Sequence, residues 1–156
     1  MLHLGPATMD EIAAVADLFG RSRAAALPFL PVLHTADEDR AFFGGQLDNM
    51  TLARLDGHLA GFMVTPPGWV EHLYLDPALR RQGIGTALLQ AAQARQEALS
   101  LWCFAQNEAA LAFYRRHGFA EVRRTAGDNE QRLPDILLTW VDAARLKKTG
   151  FPPARE

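Results

Sequence analysis

Arg80, Arg81, Gly83 and Gly85 crowd into the turn between an apolar run, Trp69 to Leu75, and an alanine- and leucine-rich stretch that begins at Ile84. These residue types suit an anion. Two guanidinium groups offer forked, charge-assisted hydrogen bonds. Two glycines let backbone approach a ligand closely, because no Cβ intervenes. A helix opening after such a turn leaves its first amides unpaired and adds about half a positive charge. The run therefore predicts a strand, a cationic turn and an amphipathic helix that together hold a phosphate. Two better-known nucleotide motifs do not fit. There is no G-x-x-x-x-G-K-[ST], and the third glycine of G-x-G-x-x-G is replaced by Leu88.

The string Arg80-x-x-Gly83-x-Gly85, preceded by Leu73-Tyr74-Leu75-Asp76-Pro77, resembles the acetyl-CoA pyrophosphate loop of the GNAT N-acetyltransferase superfamily. The family pattern is Gln/Arg-x-x-Gly-x-Gly/Ala. Two further pieces follow in the family's order. Leu101 to Asn107 is similar to its fifth strand ending in an asparagine, and Ala112 to Phe119 to its helix, tyrosine and Gly-Phe corner. The resemblance implies an α/β fold with a mixed, mostly antiparallel central sheet of six to seven strands and helices on both faces. It also implies that strands four and five splay apart, so that the pantetheine arm pairs almost as an extra strand. By the same resemblance Leu73, Tyr74 and Leu75 contact that arm, and Arg80, Arg81, Gln82, Gly83, Ile84, Gly85 and Thr86 hold the pyrophosphate. Asn107 and Phe113 complete the acetyl-CoA set, and no metal is expected.

Acyl transfer from a thioester to an amine requires deprotonation of the amine, stabilisation of the carbonyl oxygen and departure of a thiolate. The thioester is already activated, so proximity supplies much of the rate and no protein nucleophile is needed. Glu71 is the candidate base. On period-two alternation it projects to the same strand face as Leu73 and Leu75. A carboxylate partly removed from water there would have a raised pKa. The alternatives are a solvent-exposed strand carboxylate and one that binds the ammonium without taking its proton. His72 faces the other side on the same logic, an order that a bulge would reverse. Tyr114 is the candidate acid for the leaving thiolate, the alternative being core packing beside Phe113. Asn107 is either a helix cap or a pantetheine contact, and the two roles are compatible. Cys103 lies in an apolar strand without a His–Asp partner pattern and reads as core. The polar loop with Asp128, Asn129 and Glu130 reads as a solvated hairpin loop, with contact to the acceptor as the alternative.

The elements that must position these groups alternate along the chain. A first strand over residues 2 to 5 precedes a helix through about Ala26, capped by Thr8 or Asp10. Leu27 to Leu33 carries two prolines and predicts an extended loop or a broken helix, in which the resemblance makes Phe29 and Leu30 acceptor-pocket residues. Ala36 to Leu47 predicts a second helix, and Met50 to Leu55 and Leu59 to Val64 a hairpin turned by Asp56-Gly57. A strand over Trp69 to Leu75, a helix over Ile84 to Leu99 and a strand over Leu101 to Phe104 follow. The chain then predicts a helix over Glu108 to His117 and strands over Phe119 to Arg124 and Asp135 to Val141.

With 156 residues, 49% of them apolar and 22% charged, the chain reads as one soluble domain over 1–146 with a charged tail over 147–156. A net charge of −2 argues against a nucleic-acid partner. No apolar run of about 18 residues predicts a membrane span, and no secretory signal is read at the start. The single cysteine, Cys103, fits a reducing compartment and a cytoplasmic location. The expected activity is N-acetylation of a primary amine on a small molecule. The alternatives are acetylation of a protein amine and a non-catalytic acyl-CoA-binding module. A homodimer is left open.

Overall fold

The computed structural model describes residues 1–144, so the expected tail over 147–156 and the end of the expected 1–146 domain lie outside the described residues. The chain divides into two compact units, Met1–Pro66 with Glu71–Ala91, and Pro67–Val70 with the chain from Ala92 onward.

The first unit contains β1 (Leu2–Pro6), α1 (Ile12–Ala26), α2 (Ala36–Gly44), β2 (Met50–Leu55), β3 (His58–Val64), β4 (His72–Leu75) and the first turns of α3 (Ile84–Arg95). Its strands form an antiparallel four-stranded sheet in the order β1-β2-β3-β4. Asp56 and Gly57 both take left-handed backbone, φ +51° and +84°. That is the type I′ geometry whose twist matches the strands it joins. α2 starts through a capping box: the Glu38 amide donates to Thr35 Oγ1 at 3.1 Å and the Thr35 amide to Glu38 Oε1 at 2.9 Å. Val15, Leu18, Phe43, Leu52 and Phe62 fill the core of this unit.

Two features fix where β4 lies. Gly61 faces Leu75 across the β3–β4 ladder, and a Cβ there would stand 2.7 Å from Leu75 Cδ2 and 3.0 Å from the Tyr74 carbonyl oxygen. Only glycine permits that approach. On the other side, His72 and Tyr74 enter an aromatic cluster. Phe43, Phe42 and Phe19 meet His72 edge-on at 5.2, 5.5 and 6.2 Å, and Phe19 meets Tyr74 at 5.0 Å. His72 Nδ1 is buried without a hydrogen-bond partner. Burial among these rings, with Arg23 adding to it, pushes the His72 pKa down to about 4.

The second unit holds β5 (Ala98–Phe104), α4 (Glu108–Arg116), β6 (Ala120–Thr125) and β7 (Asp135–Val141), with an antiparallel sheet in the order β5-β7-β6. Leu99, Leu101, Leu111, Phe119, Ile136 and Leu138 are buried. Gly118, at φ +90°, ends the turn after α4, where a Cβ would come within 3.0 Å of Trp140.

The α/β class holds, and the seven strands match the expected number. The ladders form a sheet of four strands and one of three, with β4 and β5 as edges of different sheets. The expected strand over Trp69 to Leu75 begins at His72, because Trp69 bridges in parallel to Ser100 instead. The expected helix from Ile84 stops at Arg95 and β5 starts at Ala98, since Ala98 and Leu99 pair with Val141 and Trp140. The second helix stops at Gly44, before a 3-10 turn over Leu47–Asn49.

Gly61→Ala should lower unfolding stability by about 1–3 kcal/mol through overpacking. Gly20→Ala on the open face of α1, where nothing lies within 4 Å of a Cβ, should raise it instead. Urea midpoints check both, and equal midpoints for Gly61→Ala and the parent would contradict the close approach. His72 sets a pH dependence. The unfolded imidazole protonates near its ordinary value of 6.5 and the folded one near 4, so the stability is present above about 6.5 and drains away as pH falls towards 4. It amounts to up to about 3 kcal/mol. His72→Phe should flatten that limb of a stability-versus-pH curve, and an unaltered slope would show that other groups set it.

Candidate active site

The expected anion-binding turn is built by Asp76, Arg80, Arg81, Gly83 and the start of α3. Asp76 Oδ1 accepts from the Ala78 amide at 2.9 Å, closing the 3-10 turn Pro77–Leu79. Arg21 of α1 reaches the same oxygen at 3.4 Å while bonding Asp17 at 2.9 Å, which ties the turn to the helix behind it. Arg80 follows in extended backbone, then Arg81 at φ +64° and Gly83 at φ +77°, with Gln82 between them not left-handed. Such alternation of hand is one way in which a backbone directs successive N–H groups to one side as an anion nest. The Gly83 carbonyl accepts from the Ala87 amide at 3.0 Å, so Ile84 and Gly85 stand in the opening turn of α3, where no intrahelical acceptor precedes them. Arg80, Arg81, Gln82 and Gly83 are exposed, Ile84 and Gly85 are buried and Thr86 is half-buried. A Cβ on Gly83 would meet nothing within 4 Å, so the space over the turn is open to a ligand. These donors fit a pyrophosphate, and no carboxylate interrupts residues 80–86.

β4 offers a second kind of partner. The Asp76 amide donates to the Ala60 carbonyl at 2.8 Å, which makes Ala60 and Asp76 a hydrogen-bonded pair. Antiparallel ladders alternate, so Tyr74 and His72 direct their N–H and C=O groups at β3, and Leu73 and Leu75 direct theirs at the free edge. Leu73 and Leu75 thus carry edge groups suited to an extended ligand. Tyr74, expected with them, commits its backbone to Phe62 and its ring to the core. Glu71 lies outside the regular strand. Its amide donates to the Val64 carbonyl at 2.9 Å although Val64 is paired with His72. Two residues against one is a bulge, and it breaks the alternation by which Glu71 was expected to share a face with Leu73 and Leu75. The Glu71 side chain is exposed rather than partly removed from water.

In the second unit, Asn107 caps α4, its Oδ1 accepting from the Ala110 amide at 3.2 Å. Tyr114 lies on α4, half-buried, its ring 5.2 Å from Phe113 and 5.6 Å from Phe119. Phe113 packs on His117 at 4.7 Å. Burial pushes the Cys103 thiol up to about 12, so it stays protonated at neutral pH and is no nucleophile. The loop after β6 is ordered from within. Asn129 Nδ2 donates to the Leu133 carbonyl at 2.7 Å and to Asp135 Oδ2 at 3.0 Å, and Thr125 Oγ1 donates to the other Asp135 oxygen. Asn129 is therefore occupied in holding its own loop, while Asp128 and Glu130 are exposed.

The first unit thus brings together Glu71, Leu73, Leu75 and the turn from Arg80 to Thr86, and the second brings together Asn107, Phe113 and Tyr114. Sequence reasoning missed the Arg21–Asp76 tie, which joins residues far apart in the chain, and a recess of about 240 Å³ in the first unit. Of the two expected acceptor-pocket residues, Leu30 lines that recess and Phe29 does not. Within the described residues no group of three or more His, Cys, Asp or Glu could hold a metal, and no helix is long and apolar enough to cross a membrane.

Residues 46–121 match the family model described as an acetyltransferase (GNAT) domain. The peptidyl-lysine N-acetyltransferase YiaC of Escherichia coli K12 is 34% identical over 86 residues, a match that takes in 54% of this chain and 58% of that protein's length. Among solved structures, apo YjaB of Escherichia coli superposes with a TM-score of 0.76 at 24% identity, covering 92% of this chain and 99% of the other. The PaiA N-acetyltransferase of Thermoplasma acidophilum, solved with coenzyme A, gives 0.73 at 15% identity, covering 90% and 99%. At these identities the two structures speak for the fold. The family match over residues 46–121 and the likeness of fold agree on a GNAT acetyltransferase domain.

Proposed function

We propose that this protein transfers an acetyl group from acetyl-CoA to the primary amine of a small molecule, by direct attack within a ternary complex. The observation that carries the reading is the left-handed backbone of Arg81 and Gly83 just before α3, with the Arg80 cation alongside and clear space at Gly83. Arg80, Arg81 and the amides of Gln82 to Gly85 would hold the pyrophosphate, and the outward groups of Leu73 and Leu75 the pantetheine amides. When bound, acetyl-CoA supplies the activated acyl group. Glu71 would take the proton of the ammonium, directly or through water, an exposed carboxylate being free to accept it. Tyr114 would give a proton to the departing sulfur. Asn107 keeps its side-chain nitrogen available while its oxygen caps α4. The protonated Cys103 supports a route without a covalent enzyme intermediate. The same lone thiol fits a cytoplasmic location.

A second reading follows from YiaC: a peptide lysine as the acceptor. A panel of small amines and lysine peptides, assayed by thiol release, separates the two. Thiol released by peptides alone would replace the small-molecule reading.

Acetyl-CoA should raise the melting temperature by mass action, by about 2.7 kcal/mol of stability at a hundredfold excess over Kd. Gly83→Val should abolish the rise, since a side chain there strains left-handed backbone and fills the ligand's space. A folded parent that shows no rise at millimolar acetyl-CoA would sink the reading. Tyr114→Phe should lower kcat by about 10²–10⁴-fold with acetyl-CoA binding retained. Glu71→Gln should remove or shift the acid limb of the kcat/KM profile, and an unchanged limb would pass the role of base to His72 or water.

A further inference from the structure

The recess in the first unit has a chemical character that the acetyl-transfer reading does not use. It lies among the last turns of α1, the segment 27–34 and Asp39 of α2, and Phe19, Leu27, Leu30, Val32 and Leu33 supply much of its wall. Val32 is 94% exposed and Leu33 43%, apolar surface left open around a cavity. At about 240 Å³ the recess falls below the range of drug-sized sites, which begins near ~300 Å³, and suits a ligand of a few heavy atoms.

Within this apolar wall stands Arg23, half-buried. Its guanidinium carbon sits 5.2 Å above the Phe19 ring, which holds the plane of the group in place. The C-terminal end of α1, where Arg23 forms part of the last turn, favours the positive charge. Yet among the described residues no carboxylate stands within the 4.0 Å of an ion pair with it. Asp39 also lines the recess and feels the charges of His34 and Arg23, but burial outweighs them and pushes its carboxyl above the ordinary range. Water is therefore partly excluded where Arg23 and Asp39 stand, and a charge pair formed there is worth more than one on open surface.

We infer that this recess binds a small amine that carries a carboxylate on an apolar body, for which a hydrophobic amino acid is the simplest form, and that Arg23 pairs with the carboxylate. The apolar wall receives the side chain and the guanidinium fork receives both carboxylate oxygens. Phe19 connects the recess to the proposed chemistry, since its ring also meets His72 and Tyr74 of β4, and His72 directly follows Glu71. The inference deepens the acetyl-transfer reading and rests on it for the fate of the ligand's amine. A ligand without the carboxylate leaves a half-buried cation unpaired, which gives the recess grounds to reject it.

Matched pairs test this: L-leucine against isopentylamine and L-phenylalanine against phenethylamine, each titrated calorimetrically into the full chain in the presence of acetyl-CoA's product, coenzyme A. The amino acid of each pair should bind about tenfold or more tightly than its carboxylate-free partner, as expected for a hydrogen-bonded charge pair. Arg23→Gln should erase the preference and Arg23→Lys should keep part of it, with circular dichroism showing both variants folded. Equal affinities within each pair, no binding of any of the four at millimolar concentration, or a preference that survives Arg23→Gln would overturn the inference. Thiol release from acetyl-CoA, measured in parallel, separates the two readings. Selective binding without release would refute acetyl transfer and leave the recess assignment standing. Release from the bare amines at the rate of the amino acids would do the reverse.

Discussion

A backbone amide or carbonyl kept from water needs a partner, and in the first unit two sets of them point away from the chain's own ladders. One is the outer edge of β4, where Leu73 and Leu75 face away from β3. The other is the opening turn of α3 after Gly83. Only the short turn from Asp76 to Gly83 separates them. An elongated ligand with amides along its length and a pyrophosphate at one end would satisfy both, so the arrangement selects for shape and for charge order together. Affinity at such a site comes largely from main chain, and side chains adjust it.

The placement of β4 depends on two packing conditions of opposite kind. Against β3, the absence of a side chain at Gly61 brings the strands close at Leu75. Against the helices, bulk is needed: Phe19, Phe42 and Phe43 close over His72 and Tyr74. Placing an imidazole among these rings costs stability in acid, because burial disfavours its charged form and Arg23 repels it. The Arg21–Asp76 ion pair then carries the position of α1 into the turn that follows β4. The segment is thus held from the sheet side, the helix side and its own C-terminal end.

Much of this was legible in the sequence because the determinants are local. Asp56-Gly57 announced a hairpin through the only residue types that accept its backbone angles readily. Gly83 announced a left-handed turn before α3 through its permissive backbone. Asn107 could be read as a cap from its place before a helix. What escaped depends on pairing between distant segments. An apolar run such as Trp69 to Leu75 does not say which neighbour each residue will pair with, and Trp69 pairs with Ser100 rather than extending β4. Alternation along β4 was visible, but its parity was set by the bond between Asp76 and Ala60. That parity turned Leu73 and Leu75 outward and Tyr74 inward. The bulge at Glu71 is likewise a property of two strands, which no single segment encodes. Arg23 escaped for a related reason: its neighbours, the Phe19 ring and the wall of the recess, depend on how the segment 27–34 lies against α1.

Arg81 has one more consequence. A long side chain whose Cβ crowds the backbone at φ +64° costs of order 1 kcal/mol relative to glycine at the same place. A library of this protein screened only for thermal tolerance would therefore enrich Arg81→Gly and Arg81→Asn, which relax the turn while discarding its cation. Tolerance and ligand capture would separate at this position, and a chain optimised for shelf life would arrive with its anion site blunted.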